Sequence, residues 1–325
     1  MRQACLQPAV ACTLLLVSTA AAAADEPRVW LQRMSQALEL LSYEGNFVHG
    51  TGDMSQNLRV VHKVNGNRVS ERLIALDGAN REIIRDNGRV KCIFENERAV
   101  HVGKRVASSP LRTSLPNFDG ELEAYYTFAL GGTERIMQHD TQIIAVRPRD
   151  DFRYGYRLWL DEATAMPLRF EVLGPADDLV EYVLFSSIML DGEIPDSALE
   201  QETATDENFV LIEGAASSVA ADEVQWEASE LPQGFKLSVT NTQQVAENAA
   251  KSEHHVYTDG IASVSVFVES STPPAAALKG LSTMGAANAF ATTIDGHQVT
   301  VIGEVPANTV ELIGNAMTRR AAKRR

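Results

Sequence analysis

Seven histidines, three cysteines and 43 carboxylates are the residues of this chain with the chemistry to catalyse or to hold a metal. Their spacing does not organise them. There is no G-x-S-x-G elbow, no H-E-x-x-H, no Walker loop, no G-x-G-x-x-G, and no serine three positions before a lysine. His254 and His255 are adjacent, and on a strand their rings point to opposite faces, which is poor geometry for a shared metal. A catalytic carboxylate pair stays open among so many acids. Cys5 and Cys12 lie in the export segment described below, so Cys92 stands alone in the mature chain and no intramolecular disulfide forms there. Val90, Cys92 and Phe94 share one parity of a strand, which makes Cys92 a small buried apolar residue. The pattern points to a binding protein, not an enzyme, with no cofactor and no metal.

Positioning whatever does bind requires folded elements, and the composition supplies them. The chain has 325 residues, 45% hydrophobic and 22% charged, which suits two globular domains. The net charge of −14 sets it against nucleic acid, whose phosphates call for a basic surface. Residues 1–24 read as a signal peptide. Arg2 precedes an apolar run from Ala9 to Ala20, and Ala20 to Ala24 offer A-x-A cleavage registers before Asp25. The run is short for an uncleaved anchor helix. A lipoprotein reading through Cys12 would need that run before the cysteine, and most of it lies after. The expectation is an exported, soluble chain cleaved near Asp25.

Pro27 opens an amphipathic helix carrying Trp30, Leu31, Met34, Ala37, Leu38 and Leu41 on one side. From Tyr43 the period falls to two, punctuated by the turn pairs Asn65-Gly66, Asp77-Gly78 and Asn87-Gly88. Gly155 to Leu160 and Pro167 to Leu173 form a strand pair around Asp161 to Thr164. Leu179 to Leu190 is a further strand, and Leu122 to Leu130 reads as a short helix. The fold class is α+β: over residues 25–195, an antiparallel sheet curved over helices. Residues 196–221, with six acids to Glu213 and no base, read as an acidic linker. A smaller α+β domain follows over 222–318, with strands at Phe235 to Thr240, His254 to Thr258 and Ile261 to Glu269 and a hairpin at Asp295-Gly296. Thr272, Pro273 and Pro274 open one short helix. Pro306 opens the last, with Val310, Ile313 and Met317 on one face.

Charge divides along the same boundaries. The first domain has 26 acids and 20 bases, 17 of them arginine, the side chain best shaped to fork a phosphate or carboxylate. Arginines paired with acids on solvated strand faces are the plainer alternative. Residues 214–318 hold no arginine, and 319–325 is a basic tail. That tail meets phosphates or merely solubilises the chain end.

The positive signal is apolar. A half-open sheet over helices can keep an apolar cavity in place of a filled core. Its candidate lining is Trp30, Leu31, Met34, Leu38 and Leu41 of the helix, with Phe47, Val60, Ile83, Phe94, Tyr125, Tyr126, Phe128, Trp159 and Phe170. Aromatic and Met side chains suit a tolerant pocket for acyl chains. Ordinary core is the competing reading at each position.

Several segments together resemble one family. They are Leu76-Asp77-Gly78-Ala79-Asn80-Arg81-Glu82, Tyr125-Tyr126-Thr127-Phe128 before Arg135-Ile136, and Tyr156-Arg157-Leu158-Trp159-Leu160-Asp161 with Pro167-Leu168-Arg169. In the second domain they are Leu231-Pro232-Gln233-Gly234-Phe235, Tyr257-Thr258-Asp259-Gly260 and Val299 to Pro306. In this order, over nearly the whole mature chain, they are similar to the periplasmic MucB/RseB proteins, regulators of the sigma-E type envelope-stress response. The resemblance implies a first domain like the lipoprotein carriers LolA and LolB, an antiparallel half-barrel over helices with an apolar cavity. It implies a regulator that binds the periplasmic part of a transmembrane anti-sigma factor, shields it from site-1 proteolysis, and is released by lipopolysaccharide or another acylated lipid. The second domain would carry much of the partner contact; the contact residues themselves stay open, with the region around Leu231, Phe235 and Tyr257 as the candidate. A lipid or lipoprotein carrier without a signalling role is the alternative, and a homo-oligomer stays open.

Overall fold

A computed structural model describes residues 26–320 apart from 53, 87, 104–121, 204, 206–208, 214–223, 244–251 and 271–278. Helix α1 (Pro27–Leu40) comes first. Strands β1 (Tyr43–Thr51), β2 (Met54–Asn65), β3 (Arg68–Ala75), β4 (Arg81–Asp86), β5 (Arg89–Phe94) and β6 (Ala99–Gly103) follow. Next are β7 (Tyr126–Ile136), β8 (His139–Pro148), β9 (Gly155–Asp161), β10 (Pro167–Leu173), β11 (Leu179–Leu190) and β12 (Val210–Glu213). The second half contains β13 (Trp226–Ala228), β14 (Lys236–Gln243), β15 (Ser252–Thr258) and β16 (Ser263–Ser270). It finishes with β17 (Gly280–Met284), β18 (Ala287–Ile294), β19 (His297–Gly303), α2 (Ala307–Asn315) and β20 (Met317–Arg319).

The first twelve strands form one sheet in the order β12-β6-β5-β4-β3-β2-β1-β11-β10-β9-β8-β7. All neighbours are antiparallel except β12, which pairs parallel to β6. Strands β1 to β6 step outward in one direction. Strand β7 restarts at the opposite edge, and the chain steps back until β11 pairs with β1 from Tyr43↔Leu190 to Thr51↔Glu181. Two of the turns that link neighbours are ones the sequence marks. Gly66, at φ 59°, sits between β2 and β3, and Gly78, at φ 72°, between β3 and β4. Asn87 lies outside the described residues.

Helix α1 begins at Pro27, whose ring presets helical φ and whose missing N–H is an orphan there in any case. Its buried residues Trp30, Leu31, Met34, Ala37 and Leu38 form one stripe against the inner face of the sheet. That face is written by alternation. Phe47 faces Leu58, Val60 faces Leu73, and Phe170 faces Leu158, and all six lie with α1 in one apolar core.

The second sheet has the order β14-β15-β16-β19-β18-β17, and β13 and β20 pair beside it. Helix α2 covers its inner face, with Val310 and Ile313 packed among Val264, Val266, Val299 and Val301. The β18–β19 hairpin turns through Asp295 (φ 49°) and Gly296 (φ 74°), as the sequence predicts.

Two expectations change. Leu122 to Leu130 is not a helix: a 3-10 turn, Leu122–Ala124, gives way at once to β7. Tyr125-Tyr126-Thr127-Phe128 is aromatic and β-branched, and such side chains fit a pleated surface better than a helix. The acidic stretch from Asp196 is also more than a tether. Its start forms a 3-10 turn, Asp196–Leu199, and Val210–Glu213 within it supplies β12. The helix expected at Thr272 to Pro274, the signal segment and residues 321–325 of the tail lie outside the described residues.

Candidate functional site: an apolar inner face and the clasp that closes it

Of the residues proposed to line a cavity, Leu31, Met34, Phe47, Tyr126 and Phe170 are at most 1% exposed and meet in the first apolar core. Trp30, Leu38 and Val60 join them, with Ile83, Tyr125 and Phe128 packed alongside. Three proposed residues are placed otherwise. Leu41 caps the end of α1 in extended backbone and is half-buried. Phe94 stands at the rim, edge-on to His101 at 5.5 Å, beside a small recess of about 270 Å³. Trp159 is buried, yet its parity sets it opposite Leu158 and Leu160. It pairs with Arg169 and Ile143, lies under the Arg169 guanidinium at 4.4 Å, and donates its indole N–H to Glu134 Oε2 at 2.6 Å. Trp159 belongs to the first apolar core as well, and its strand parity brings it there from the side opposite Leu158 and Leu160.

The back of the sheet is polar and strapped. Arg72, 1% exposed, donates Nε–H to Glu82 Oε1 at 2.6 Å and Nη1–H to the Ala198 carbonyl at 3.1 Å. Glu82 also accepts the backbone amides of Glu202 at 3.2 Å and Thr203 at 2.9 Å. Burial alone would raise the Glu82 pKa, but the Thr203 amide and Arg72 outweigh it and hold the carboxyl below its ordinary range. Lys63 donates to the Ile194 carbonyl and to Asp196. The acids that read as a linker thus meet basic residues on β2 and β3.

The inner face closes against the second domain. Arg153, fully buried between β8 and β9, donates Nε–H to Asp259 Oδ2 at 2.5 Å and bonds Asp150 and the Gln233 carbonyl. Its guanidinium lies 5.0 Å from the ring of Tyr125 and 5.1 Å from that of Phe235. Tyr126, whose ring is part of the first core, donates its hydroxyl to Asp259 Oδ2 at 2.9 Å. Burial and the neighbouring Tyr156 and Asp259 push its pKa well up, so the phenol stays a donor. Asp259 Oδ1 accepts the amides of Ile261 and Ala262. Every oxygen of this buried carboxylate is therefore used, as burial of a charge demands. Around it, Asn288 donates to the Tyr154 hydroxyl at 3.0 Å and Thr309 to the Phe152 carbonyl at 2.8 Å. A β-carbon on Gly234, held at φ 89°, would strike the Tyr125 ring.

In the second domain, Phe235 and Tyr257 are buried at 5% and 3%, and Leu231 packs against the same core. Phe235 faces Arg153, and the Tyr257 hydroxyl accepts the Ala228 amide at 3.2 Å. Phe235 and Tyr257 thus build the interior and present little surface. His254 and His255 part as expected: His254 stacks on Phe267 at 4.3 Å, and His255 turns inward to Glu253. Cys92 is buried, and burial raises its thiol pKa against the pull of Arg85 and Arg81. No helix among the described residues is long and apolar enough to cross a membrane.

Together these features define a two-domain protein in which a large antiparallel sheet, roofed on one face by a helix, is clasped to a smaller sheet domain by a buried ionic node. The chain belongs to the MucB/RseB family, matching its N-terminal domain over residues 26–203 and its C-terminal domain over 220–318. The sigma factor AlgU regulatory protein MucB of Pseudomonas aeruginosa is 30% identical over 315 residues, spanning 94% of this chain and 95% of that protein. The sigma-E factor regulatory protein RseB of Haemophilus influenzae is 29% identical over 310 residues, spanning 94% and 95%. The crystal structure of MucB in complex with MucA(peri) superposes with a TM-score of 0.71 at 27% identity, covering 91% of this chain and all of that one.

Proposed function

We propose that this protein is a periplasmic regulator that binds the periplasmic part of a membrane-spanning anti-sigma factor. Bound there, it shields that factor from site-1 proteolysis, and lipopolysaccharide or another acylated ligand releases it. The observation that carries the reading is family membership across both domains, together with a similarly built relative crystallised with MucA(peri). The apolar inner face beneath α1 is the surface chemically suited to an acyl chain. A carrier would need only the first domain, and the buried clasp to a second one speaks against it.

The test is calorimetric titration of the chain with its cognate anti-sigma periplasmic segment, with and without lipopolysaccharide. Tight binding that lipid weakens more than tenfold, about 1.4 kcal/mol of coupling, is the expected result. No binding to the segment, with lipid still taken up, would leave the carrier.

A further inference from the structure

The second domain does more than abut the first. Ala286, in the turn between β17 and β18, is 2% exposed and belongs to the apolar core of the first domain. Ile261, beside Asp259, packs against the same core. The turn lies directly on the end of β1, where a β-carbon on Gly285 would stand 3.1 Å from Thr51 Cβ. On the same face, the Tyr126 ring is core and its hydroxyl is held by Asp259. Helix α1 roofs the inner face elsewhere.

We propose that the inner face of the first sheet has two competing occupants, the second domain's Asp259 loop and Gly285-Ala286 turn in the closed state and the apolar body of an acylated ligand in the open one. This rests on the acyl-ligand reading above and names how the site is regulated. An acyl chain entering from the β1 end meets Ala286 and Ile261 where it must lie. Displacing them pulls Asp259 from Tyr126 and Arg153, and three buried polar groups must then be rehydrated or paired anew. Ligand uptake and domain docking therefore weaken each other by the same factor, because coupling between two equilibria is reciprocal. Any partner that needs both domains held together is released as a consequence.

A disulfide staple tests this. The full chain carries Thr51→Cys and Gly285→Cys, with Cys5, Cys12 and Cys92 replaced by alanine. The two β-carbons would lie close enough for a bridge after a small movement of the turn. The left-handed backbone at Gly285, φ 61°, burdens the oxidised and reduced forms alike, so these are compared with each other. The probe is 11-(dansylamino)undecanoic acid, read by fluorescence. The expected result is uptake by the reduced protein and at least about tenfold weaker uptake by the oxidised one. Equal uptake, or tighter uptake by the oxidised form, overturns the competition and leaves the acyl site standing. No uptake by either form overturns the acyl reading and this proposal with it. Tyr126→Phe supplies an independent check: it keeps the ring, removes the bond to Asp259, and should tighten probe uptake about fivefold. Unchanged or weaker uptake by that variant counts against the proposal.

Discussion

Arg72 and Arg153 are equally withdrawn from water, yet they fasten different seams. Arg72 and its main partner Glu82 belong to adjacent strands of one sheet, and the strap after β11 adds the Ala198 carbonyl, Glu202 and Thr203 at their margin. The strap can lift while the pair survives. Arg153 and Asp259 lie 106 residues apart in different domains, each side chain fully buried. Here the pair is the seam, and neither member keeps a full set of partners if the domains part. Buried ion pairs often add little net stability, but breaking one by removing a partner is costly, because the other charge is stranded. The protein puts that sensitivity where its two domains meet.

The largest expected effect breaks the second seam. Arg153→Ala strands Asp259 and should cost about 3–5 kcal/mol of docking, splitting thermal unfolding into two calorimetric transitions. A single transition at the original temperature would mean that the domains are held by other contacts. Glu82→Gln leaves Arg72 with the Ala198 carbonyl and Glu202, so about 2 kcal/mol should be lost. That loss should appear as faster proteolytic cleavage between 196 and 203, with the second domain unaffected. Tyr126→Phe removes one hydrogen bond and should cost about 1 kcal/mol of stability, read as a small fall in the melting temperature.

The smallest effects are in pH, and they have opposite signs at the two seams. Glu82 titrates below its ordinary 4.5, so its contribution is present above that value and lost as pH falls through its folded-state pKa. Acid should loosen the strap. Glu304, at the domain junction, is pushed up to about 7 by burial and then by Glu181, with His49 opposing. Its contribution is complete below 4.5 and lost as pH rises through 7, so alkali should loosen the domains. By surface area Glu304 is exposed, so solvent screening discounts the upward push from burial and the slope is shallow. Amide exchange at the β17–β18 turn, followed from pH 5 to 8, should quicken with pH beyond its intrinsic rate, and Glu304→Gln should flatten the excess.

The two seams also differ in how far the sequence reveals them. Period-two runs with Asn-Gly or Asp-Gly turns give several of the hairpins, and the Pro27 and Pro306 starts give the two α-helices among the described residues, because these signals are local. The strap was half legible: six acids without a base, opposite an arginine-rich first domain, are complementary charges, but composition alone reads as a tether. For Trp159, aromatic character predicts burial in the first core, and only strand parity says from which face it enters. The clasp had no local mark. Arg153 is one of 17 arginines in its domain, and Asp259-Gly260 looks like any turn. Only the fold brings β8, β9 and the Asp259 loop together.

The pairing of β1 with β11 has a consequence for how the chain is made. Synthesis delivers β1 to β6 early, in local hairpins that form quickly. The residues of β11 emerge 130 (Thr51 to Glu181) to 147 (Tyr43 to Leu190) positions after their partners in β1, and until then the long edge of β1 has no strand to pair with and half the apolar face lacks its other wall. During that interval the nascent sheet is an aggregation-prone intermediate. Slow arrival of β11, rather than weak native contacts, should therefore set the yield of this protein, and a chaperone that guards open strand edges should raise it.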